Sequence, residues 1–254
     1  MNKYDVKLCK LISKREINKD IFDFIVSAPE FADVAQAGQF AQIKVTGKTL
    51  RRPISICAVD RTLGTLRFVF QIRGEGTEEL AKVRQGDMLD ILAPLGMGFP
   101  LFEGKRAMLI GGGIGVPPLL QAAAFYGENS VAALGFRNKD AVILTEDFEK
   151  LGTKTITATD DGSFGYNGLV TDLIEAENAD IIYACGPTPM LKAVKAFAQK
   201  RNIECYLSLE ERMACGVGAC LGCATKLLRE NGEEYYGHVC KDGPVFNSEA
   251  VVLE

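Results

Sequence analysis

Four of the chain's eight cysteines lie in its last forty residues, in one spaced pattern. Cys215, Cys220 and Cys223 are separated by four and by two residues, and Cys240 follows after sixteen more. This is the spacing of plant-type [2Fe-2S] ligation, in which three thiolates share one tight loop. Small residues let such a loop wrap closely and direct its N–H groups at sulfur. They are Gly216, Gly218, Ala219 and Gly222. The pattern predicts an iron–sulfur segment with these four cysteines as its ligands.

A structural zinc site is the alternative for the same four cysteines. Zinc modules usually present two short pairs of ligands, whereas here three cysteines crowd one loop and the fourth stands alone. Three further cysteines, Cys9, Cys57 and Cys205, lie in apolar, strand-like stretches. We expect them to be small buried side chains without a chemical role.

The first hundred residues follow the period of β-strands. Leu66, Phe68 and Phe70 alternate with Arg67 and Gln71, as in a half-buried strand. Similar runs occur at residues 6–12, 21–26, 40–45, 53–59 and 88–92, and one helical stretch, capped by Thr77, interrupts them at residues 77–83. Six short strands predict a closed antiparallel β-barrel over residues 1–99.

Strands and helices alternate after residue 100, which is typical of a parallel sheet with helices on both faces. The predicted strands are residues 107–110, 131–136, 155–158 and 181–184, and the predicted helices are 117–125, 169–177 and 189–199. The rhythm stops after Tyr206. The sequence therefore predicts a multi-domain chain: a β-barrel (1–99), a central α/β domain (100–205) and a small C-terminal [2Fe-2S] domain (206–254).

Charge and hydropathy exclude several classes of protein. The chain has 29 basic and 33 acidic residues, without the basic excess that nucleic-acid binding needs. Its longest uncharged stretch, residues 107–127, contains five glycines and a Pro-Pro pair, so we interpret it as strand, loop and helix rather than a membrane span. Residues 1–7 mix charges where a signal peptide would be apolar, and we expect a cytoplasmic protein.

Two small-residue loops follow strands of the predicted α/β domain. Gly111, Gly112, Gly113 and Gly115 come directly after an apolar strand and before an apolar helix, where glycines let a pyrophosphate approach the backbone. A tight structural turn is the alternative, since the motif is not the spaced G-x-G-x-x-G fingerprint. The second loop, Cys185-Gly186-Pro187, ends a later strand. Ligands collect at such carboxyl edges of open α/β sheets.

A third motif lies in the predicted barrel. Arg52-Pro53-Ile54-Ser55 combines a cation, a rigid proline and a hydroxyl on an extended strand, which suits a phosphate-bearing ligand. A solvated arginine pair, Arg51 and Arg52, is the alternative. His238 is the only histidine, and no arrangement typical of hydrolytic or acid–base catalysis occurs. Electron transfer through bound cofactors is therefore the favoured class of function.

These motifs, in this order along the whole chain, resemble the ferredoxin-NADP reductase superfamily and, within it, the family of electron transfer subunits of type B dihydroorotate dehydrogenases. The runs at residues 210–223 and 238–246 carry the most specific part of the resemblance. It implies FAD, a [2Fe-2S] cluster and NAD as cofactors. Arg52 would bind the FAD pyrophosphate and Ser55 would lie near the flavin ring. The strand residues Pro53 and Ile54 would accompany them.

The resemblance assigns further residues to each nucleotide. Val69, Phe70 and Gln71 would line the adenosine and flavin side of FAD, although the family often has Tyr-Arg in place of Phe70-Gln71. Gly76 and Thr77 would form a second flavin contact. The remaining residues would form the nicotinamide-nucleotide loop or lie beside the nicotinamide: Gly111, Gly112, Gly113, Gly115, Cys185, Gly186 and Pro187.

The resemblance also implies a partner and a pathway. An FMN-containing dihydroorotate dehydrogenase catalytic subunit would oxidise dihydroorotate to orotate in pyrimidine biosynthesis. Electrons would then pass through the cluster and FAD of this chain to NAD+. The assembly would be a heterotetramer of two chains of each kind.

Other functions share the layout. Electron transfer subunits of sulfite reductases and NAD(P)-linked hydrogenases carry similar cluster loops. The small subunit of NADH-dependent ferredoxin:NADP oxidoreductase typically has aspartate as its first cluster ligand, where this chain has Cys215. A zinc-stabilised binding module and a diaphorase that acts without a partner are further alternatives.

Overall fold

The N-terminal part of the chain forms a closed, six-stranded antiparallel barrel. The computed structural model describes residues 4–253, so the first three residues of the charged N-terminal segment lie outside the described part. The strands are β1 (Asp5–Asn18), β2 (Ile21–Ser27), β3 (Phe40–Ile43), β4 (Arg52–Asp60), β5 (Thr65–Gln71) and β6 (Met88–Leu95). They pair in the order β1-β2-β5-β4-β3-β6, and β6 closes on β1. The predicted barrel is confirmed.

The side chains directed inward from alternate strand positions fill the interior of the barrel. Leu66 and Phe68 point inward from β5 and pack against Phe24 of β2 in one buried cluster. Two helices accompany the strands, α1 (Pro29–Val34) and α2 (Glu75–Ala81). The sequence pattern did not predict α1, because six residues are too few to show a helical period.

The start of α2 differs from the prediction. Its N-cap is Gly74, so Thr77 is the third helical residue rather than the cap. Thr77 still serves the helix start, because its Oγ1 accepts hydrogen bonds from the backbone N–H of Arg73 (2.8 Å) and Gly74 (3.3 Å). A side chain reaching back from the third position satisfies donors that the helix itself leaves unpaired.

A seven-stranded sheet, with the helices that connect its strands, forms the second structural unit. Its elements are β7 (Ala107–Gly112), α3 (Leu120–Tyr126), β8 (Ser130–Phe136), α4 (Thr145–Lys150), β9 (Lys154–Thr159), β10 (Tyr166–Asn167), α5 (Val170–Leu173), β11 (Ile181–Cys185), α6 (Thr188–Arg201) and β12 (Glu204–Ser208). The strands run in the order β10-β9-β8-β7-β11-β12, all parallel. The sequence pattern missed β10, β12 and the short helix α4.

The C-terminal segment is tied to this sheet. A hairpin of β13 (Ala224–Leu228) and β14 (Glu234–His238) follows the cysteine loop. The last strand, β15 (Val245–Asn247), pairs antiparallel with β12 and so becomes the edge of the central sheet. The predicted fold class, with a barrel, an α/β sheet and a C-terminal cysteine segment, is confirmed. No helix within residues 4–253 is long and apolar enough to cross a membrane.

Two polar contacts hold the barrel to the sheet. On the outer face of the barrel, Arg67 of β5 pairs with Asp23 of β2 and reaches Asp147 of α4, with an Nη1–Oδ1 distance of 2.5 Å. The buried Tyr183 of β11 donates to the carbonyl of Pro100 (2.6 Å), in the segment that connects the two units. These contacts join the barrel to the sheet, and the candidate site lies between the two.

Candidate functional site

A cleft of about 470 Å³ lies where the barrel, the sheet and the C-terminal segment meet. Eight of the predicted flavin residues line it: Arg52, Pro53, Ile54, Ser55, Val69, Phe70, Gln71 and Thr77. The sheet contributes Ile114 and Cys185, and the C-terminal segment contributes Met213, two residues before Cys215. The cleft therefore brings together residues from all three predicted parts of the chain.

Arg52 is placed to hold an anion in this cleft. Its side chain lies against Gly76, where an added Cβ would be 1.7 Å from the Arg52 Nε. Only glycine permits this approach. Arg52 Nη1 donates to the backbone carbonyls of Leu50 (2.7 Å) and Arg51 (3.3 Å), and no carboxylate within residues 4–253 pairs with it. A guanidinium that is not hydrogen-bonded to a carboxylate, beside a cleft, suits the pyrophosphate of FAD.

Arg51, by contrast, has a structural role. Its Nη2 pairs with Asp90 Oδ1 at 2.8 Å, and its Nη1 donates to the Asp90 carbonyl at 3.0 Å. The two neighbouring arginines therefore differ: Arg51 ties the start of β4 to β6, and Arg52 faces the cleft. The alternative of a solvated arginine pair therefore fits neither Arg51 nor Arg52.

Several cleft residues were not predicted from the sequence, among them Arg73, Ser208 and Glu210. Burial raises the pKa of the Glu210 carboxyl, while the charge of Arg73 opposes the shift. Ser208 ends β12, and Glu210 follows it at the carboxyl edge of the sheet. That position is the signal that would have indicated them, but β12 itself was not recognised.

The two glycine-containing loops of the sheet meet at its carboxyl edge. An added Cβ at Gly115 would lie 2.4 Å from the Cys185 carbonyl oxygen, and one at Gly112 would lie 2.8 Å from the Pro187 Cδ. Gly113 differs from these two glycines: its φ is +55°, and an added Cβ there would meet nothing within 4 Å. The glycines thus have packing reasons as well as room for a ligand. Burial raises the pKa of the Cys185 thiol to about 12, so this residue stays protonated.

The four predicted cluster ligands lie in two pairs in the C-terminal segment. Cys215 lies within hydrogen-bonding reach of Cys220, and Cys223 within reach of Cys240. Cys215 and Cys240 are close enough to interact electrostatically. Among the described residues, no three His, Cys, Asp or Glu side chains converge as the ligands of one ion do. Two pairs of thiols suit two irons, each with two cysteine ligands, better than a mononuclear zinc site.

Backbone N–H groups surround the sulfur atoms of this loop. Burial acts to raise the pKa of Cys215, but N–H groups of Val217, Cys220 and Ala219 point at its Sγ and lower the pKa to about 6. The Gly218 N–H donates to Cys240 Sγ at 3.2 Å. Such a nest of donors stabilises negative charge on sulfur, which thiolate ligands and a cluster both carry.

The remaining cysteines behave as expected. Cys9, Cys57 and Cys205 are each at most 3% exposed. Burial raises their thiol pKa values, to about 11 for Cys9 and about 12 for the other two. None forms a disulfide. The prediction that they are small buried side chains is confirmed.

The fold and the cleft together define the class: a flavin reductase of the ferredoxin-NADP reductase type, with an iron–sulfur segment attached. A family model described as the iron-sulfur cluster binding domain of dihydroorotate dehydrogenase B matches residues 210–252. The chain is 44% identical to the dihydroorotate dehydrogenase B (NAD(+)), electron transfer subunit of Geobacillus thermodenitrificans (strain NG80-2), over 96% of this chain and 97% of that protein.

A second relative and a solved structure agree with this match. The subunit of the same name from Bacillus mycoides (strain KBAB4) is 43% identical, with 96% and 97% of the two chains covered. A structure of NADH-dependent reduced ferredoxin-NADP oxidoreductase superposes with a TM-score of 0.86 at 30% identity, over 97% of this chain and 90% of that chain. The chain belongs to the family of electron transfer subunits of dihydroorotate dehydrogenase B.

Proposed function

We propose that this chain passes electrons between the FMN of a dihydroorotate dehydrogenase catalytic subunit and NAD+, through a [2Fe-2S] cluster and FAD. The observation that carries the proposal is the cleft that joins the Arg52–Ser55 strand, Cys185 at the sheet edge and Met213, which lies two residues before the cysteine loop. The net reaction balances as dihydroorotate and NAD+ giving orotate, NADH and one proton. It would belong to pyrimidine biosynthesis.

The chain's own residues bind and separate the redox groups. Arg52 holds the FAD pyrophosphate, and the apolar strand residues Ile54, Val69 and Phe70 exclude water from the flavin. Ser55 would lie near the flavin ring. Pro53, Gln71 and Thr77 line the same cleft, and Gly76 lies against Arg52. When bound, FAD exchanges two electrons with NAD as hydride and single electrons with an iron–sulfur cluster. No side chain of this polypeptide needs to touch dihydroorotate.

The carboxyl edge of the sheet is the proposed NAD site. The loop of Gly111, Gly112, Gly113 and Gly115 would take the nucleotide, with open space at Gly113. Cys185 lines the cleft where the nicotinamide would lie, and Gly186 and Pro187 follow it in the chain. The neutral Cys185 thiol suits a position beside an uncharged dihydronicotinamide. Cys215 and Cys220 would ligate one iron, and Cys223 and Cys240 the other.

The proposed assembly is cytoplasmic, a heterotetramer of two of these chains and two catalytic subunits. The names of the relatives, which are subunits of dihydroorotate dehydrogenase B, support a catalytic partner. The cysteine loop supplies a contact surface, because Leu221 within it is 77% exposed.

Anaerobic purification of the tagged chain from its native host tests the proposal. We expect FAD, two irons per chain, and an FMN-containing dihydroorotate dehydrogenase subunit identified by mass spectrometry. A sulfite reductase or hydrogenase subunit in its place would retain the cofactors and contradict the pyrimidine assignment. A colourless, zinc-containing protein would contradict the redox function altogether.

The flavin assignment has a matched pair of variants. Arg52→Gln removes the cation that faces the cleft, and we expect its FAD to be lost on gel filtration. Arg51→Gln removes the ion pair with Asp90 instead, so it should lower thermal stability and keep the flavin. Equal FAD retention in the two variants would refute the role of Arg52.

A further inference from the structure

Gln42 has a buried side chain whose amide nitrogen and oxygen both lack a hydrogen-bond partner among the described residues. The residue is 0% exposed. A buried amide without partners costs about 1–3 kcal/mol per unsatisfied group, and methionine would fill a similar volume without that cost. A glutamine in this place therefore indicates a partner outside the polypeptide.

The side chain points from the barrel towards the cysteine loop. Its neighbours on β3, Ala41 and Ile43, pack into the barrel interior, so Gln42 faces the outside. There it lies beneath Gly216, where an added Cβ would be 2.7 Å from the Gln42 Cγ and 3.0 Å from its Nε2. Gly216 directly follows Cys215, so the amide lies under the first ligand of the loop.

The flavin cleft does not provide the missing partner. Phe40 on the same strand and Pro53, opposite Gln42 on β4, line that cleft, but Gln42 does not. The loop's own N–H groups at Val217, Ala219 and Cys220 already point at the Cys215 sulfur. The group that would occupy the space next to this loop is the iron–sulfur cluster.

We propose that the Gln42 carboxamide donates a hydrogen bond from Nε2 to a sulfur atom at the Cys215 end of the [2Fe-2S] cluster. Cluster sulfurs only accept hydrogen bonds, so the amide nitrogen is the atom that faces them. The bond strengthens as the cluster gains negative charge, and hydrogen bonds to the sulfurs are known to set reduction potentials. Gln42 therefore favours the reduced cluster. This inference rests on the proposed function, because it requires the cluster.

Gln42→Met tests the proposal in the complete protein with its cofactors bound. In an EPR-monitored redox titration, the midpoint potential of the cluster should be about 59 mV lower than in the unmodified protein. This corresponds to a shift of about tenfold towards the oxidised form. Pulsed EPR spectra of the reduced cluster, compared in H2O and D2O, should show one exchangeable proton coupling fewer in Gln42→Met than in the unmodified protein. A residue that only supports the fold would move neither quantity.

Gln39→Met is the matched control. Gln39 is also buried (4% exposed), but its Oε1 accepts from the Gln36 N–H and its Nε2 donates to the Gly96 carbonyl, each at 2.8 Å. This variant should lose stability and keep the cluster's potential and proton couplings. If Gln42→Met loses the cluster, Gln42→Leu serves instead. Its side chain has no hydrogen-bond donor, so it should also lower the potential.

The outcomes separate this inference from the proposed function. An unmodified protein without iron and sulfide would overturn both. A cluster that is present and whose potential and proton couplings are unchanged in Gln42→Met would overturn the role of Gln42 alone. A shift in the FAD potential with no shift in the cluster potential would also overturn it, because the amide would then face the flavin.

Discussion

Cys215 differs from the chain's other cysteines in what surrounds its sulfur. Three N–H groups of its own loop hold the thiol pKa at about 6, whereas burial raises the thiol pKa of Cys57 to about 12. Thiolates, not thiols, react with alkylating reagents. In cluster-free protein we expect iodoacetamide to modify Cys215 rapidly at pH 7 and Cys57 negligibly, with the Cys215 rate falling as the pH is lowered through about 6.

Peptide mass spectrometry of samples quenched along a pH series measures these rates. The Cys215→Ser variant should lose the step near pH 6 and keep the slow labelling of Cys57. A Cys215 rate that rises only above pH 8, as for an ordinary thiol, would show that the loop does not stabilise the thiolate.

Residues close together in the sequence were the predictable part of the site. The cysteine spacing and the Arg52–Ser55 strand are local patterns, and the structure brings them to one place. Arg73 and Gln42 carry no local signal. Their roles arise from which segments the fold lays over them, and no spacing in the sequence records that.

At the scale of elements, an ion-pair network joins β1, β2 and β5 and extends to α4. Asp23 is 1% exposed and pairs with the mostly buried Arg67 and with the more exposed Arg15. Removing one partner of a buried pair leaves a charge without compensation, at a cost of about 3–5 kcal/mol. We expect Arg67→Met to lower the free energy of unfolding by about 3 kcal/mol in urea titrations.

Asp147→Asn is the comparison for this network. It removes only the contact from β5 to α4, in which the Asp147 side chain is 32% exposed. A part-exposed pair contributes about 0–1 kcal/mol, so this variant should unfold close to the unmodified protein. Equal losses of unfolding free energy in the two variants would show that the stabilisation comes from the contact between barrel and sheet rather than from the pairing of the buried Asp23.

The elements themselves were predictable where they were long and periodic. The six barrel strands and the strands β7, β8, β9 and β11 all follow from alternation or apolar runs. The helices α1 and α4 have six residues each, too few to show a period. The strand β15 was missed because its partner β12 is distant in the sequence, and only tertiary pairing makes it a strand.

At the scale of the whole molecule, the exposed loop around the cysteines is the surface expected to meet the catalytic subunit. Leu221 is the most exposed large apolar residue within it, at 77%. Burying a carboxylate at an apolar contact costs more than ~1.4 kcal/mol, a factor of ten in affinity. We therefore expect Leu221→Glu to weaken assembly more than about tenfold in sedimentation experiments.

Leu63→Glu is the matched control for the docking surface. Leu63 is 74% exposed, but it lies in the turn between β4 and β5, outside the cysteine loop. This variant should assemble normally, and both variants should retain FAD and iron. Normal assembly of Leu221→Glu would move the contact surface away from the cysteine loop.

In the proposed function, one chain connects dihydroorotate oxidation to NAD+ reduction through its own cluster. NADH formation at 340 nm by the assembled protein, with dihydroorotate and NAD+ as the only substrates, measures this connection directly. We expect one NADH per orotate, with the rate abolished in Cys223→Ser, which retains its FAD. NADH formation undiminished in a Cys223→Ser protein that lacks its cluster would contradict it.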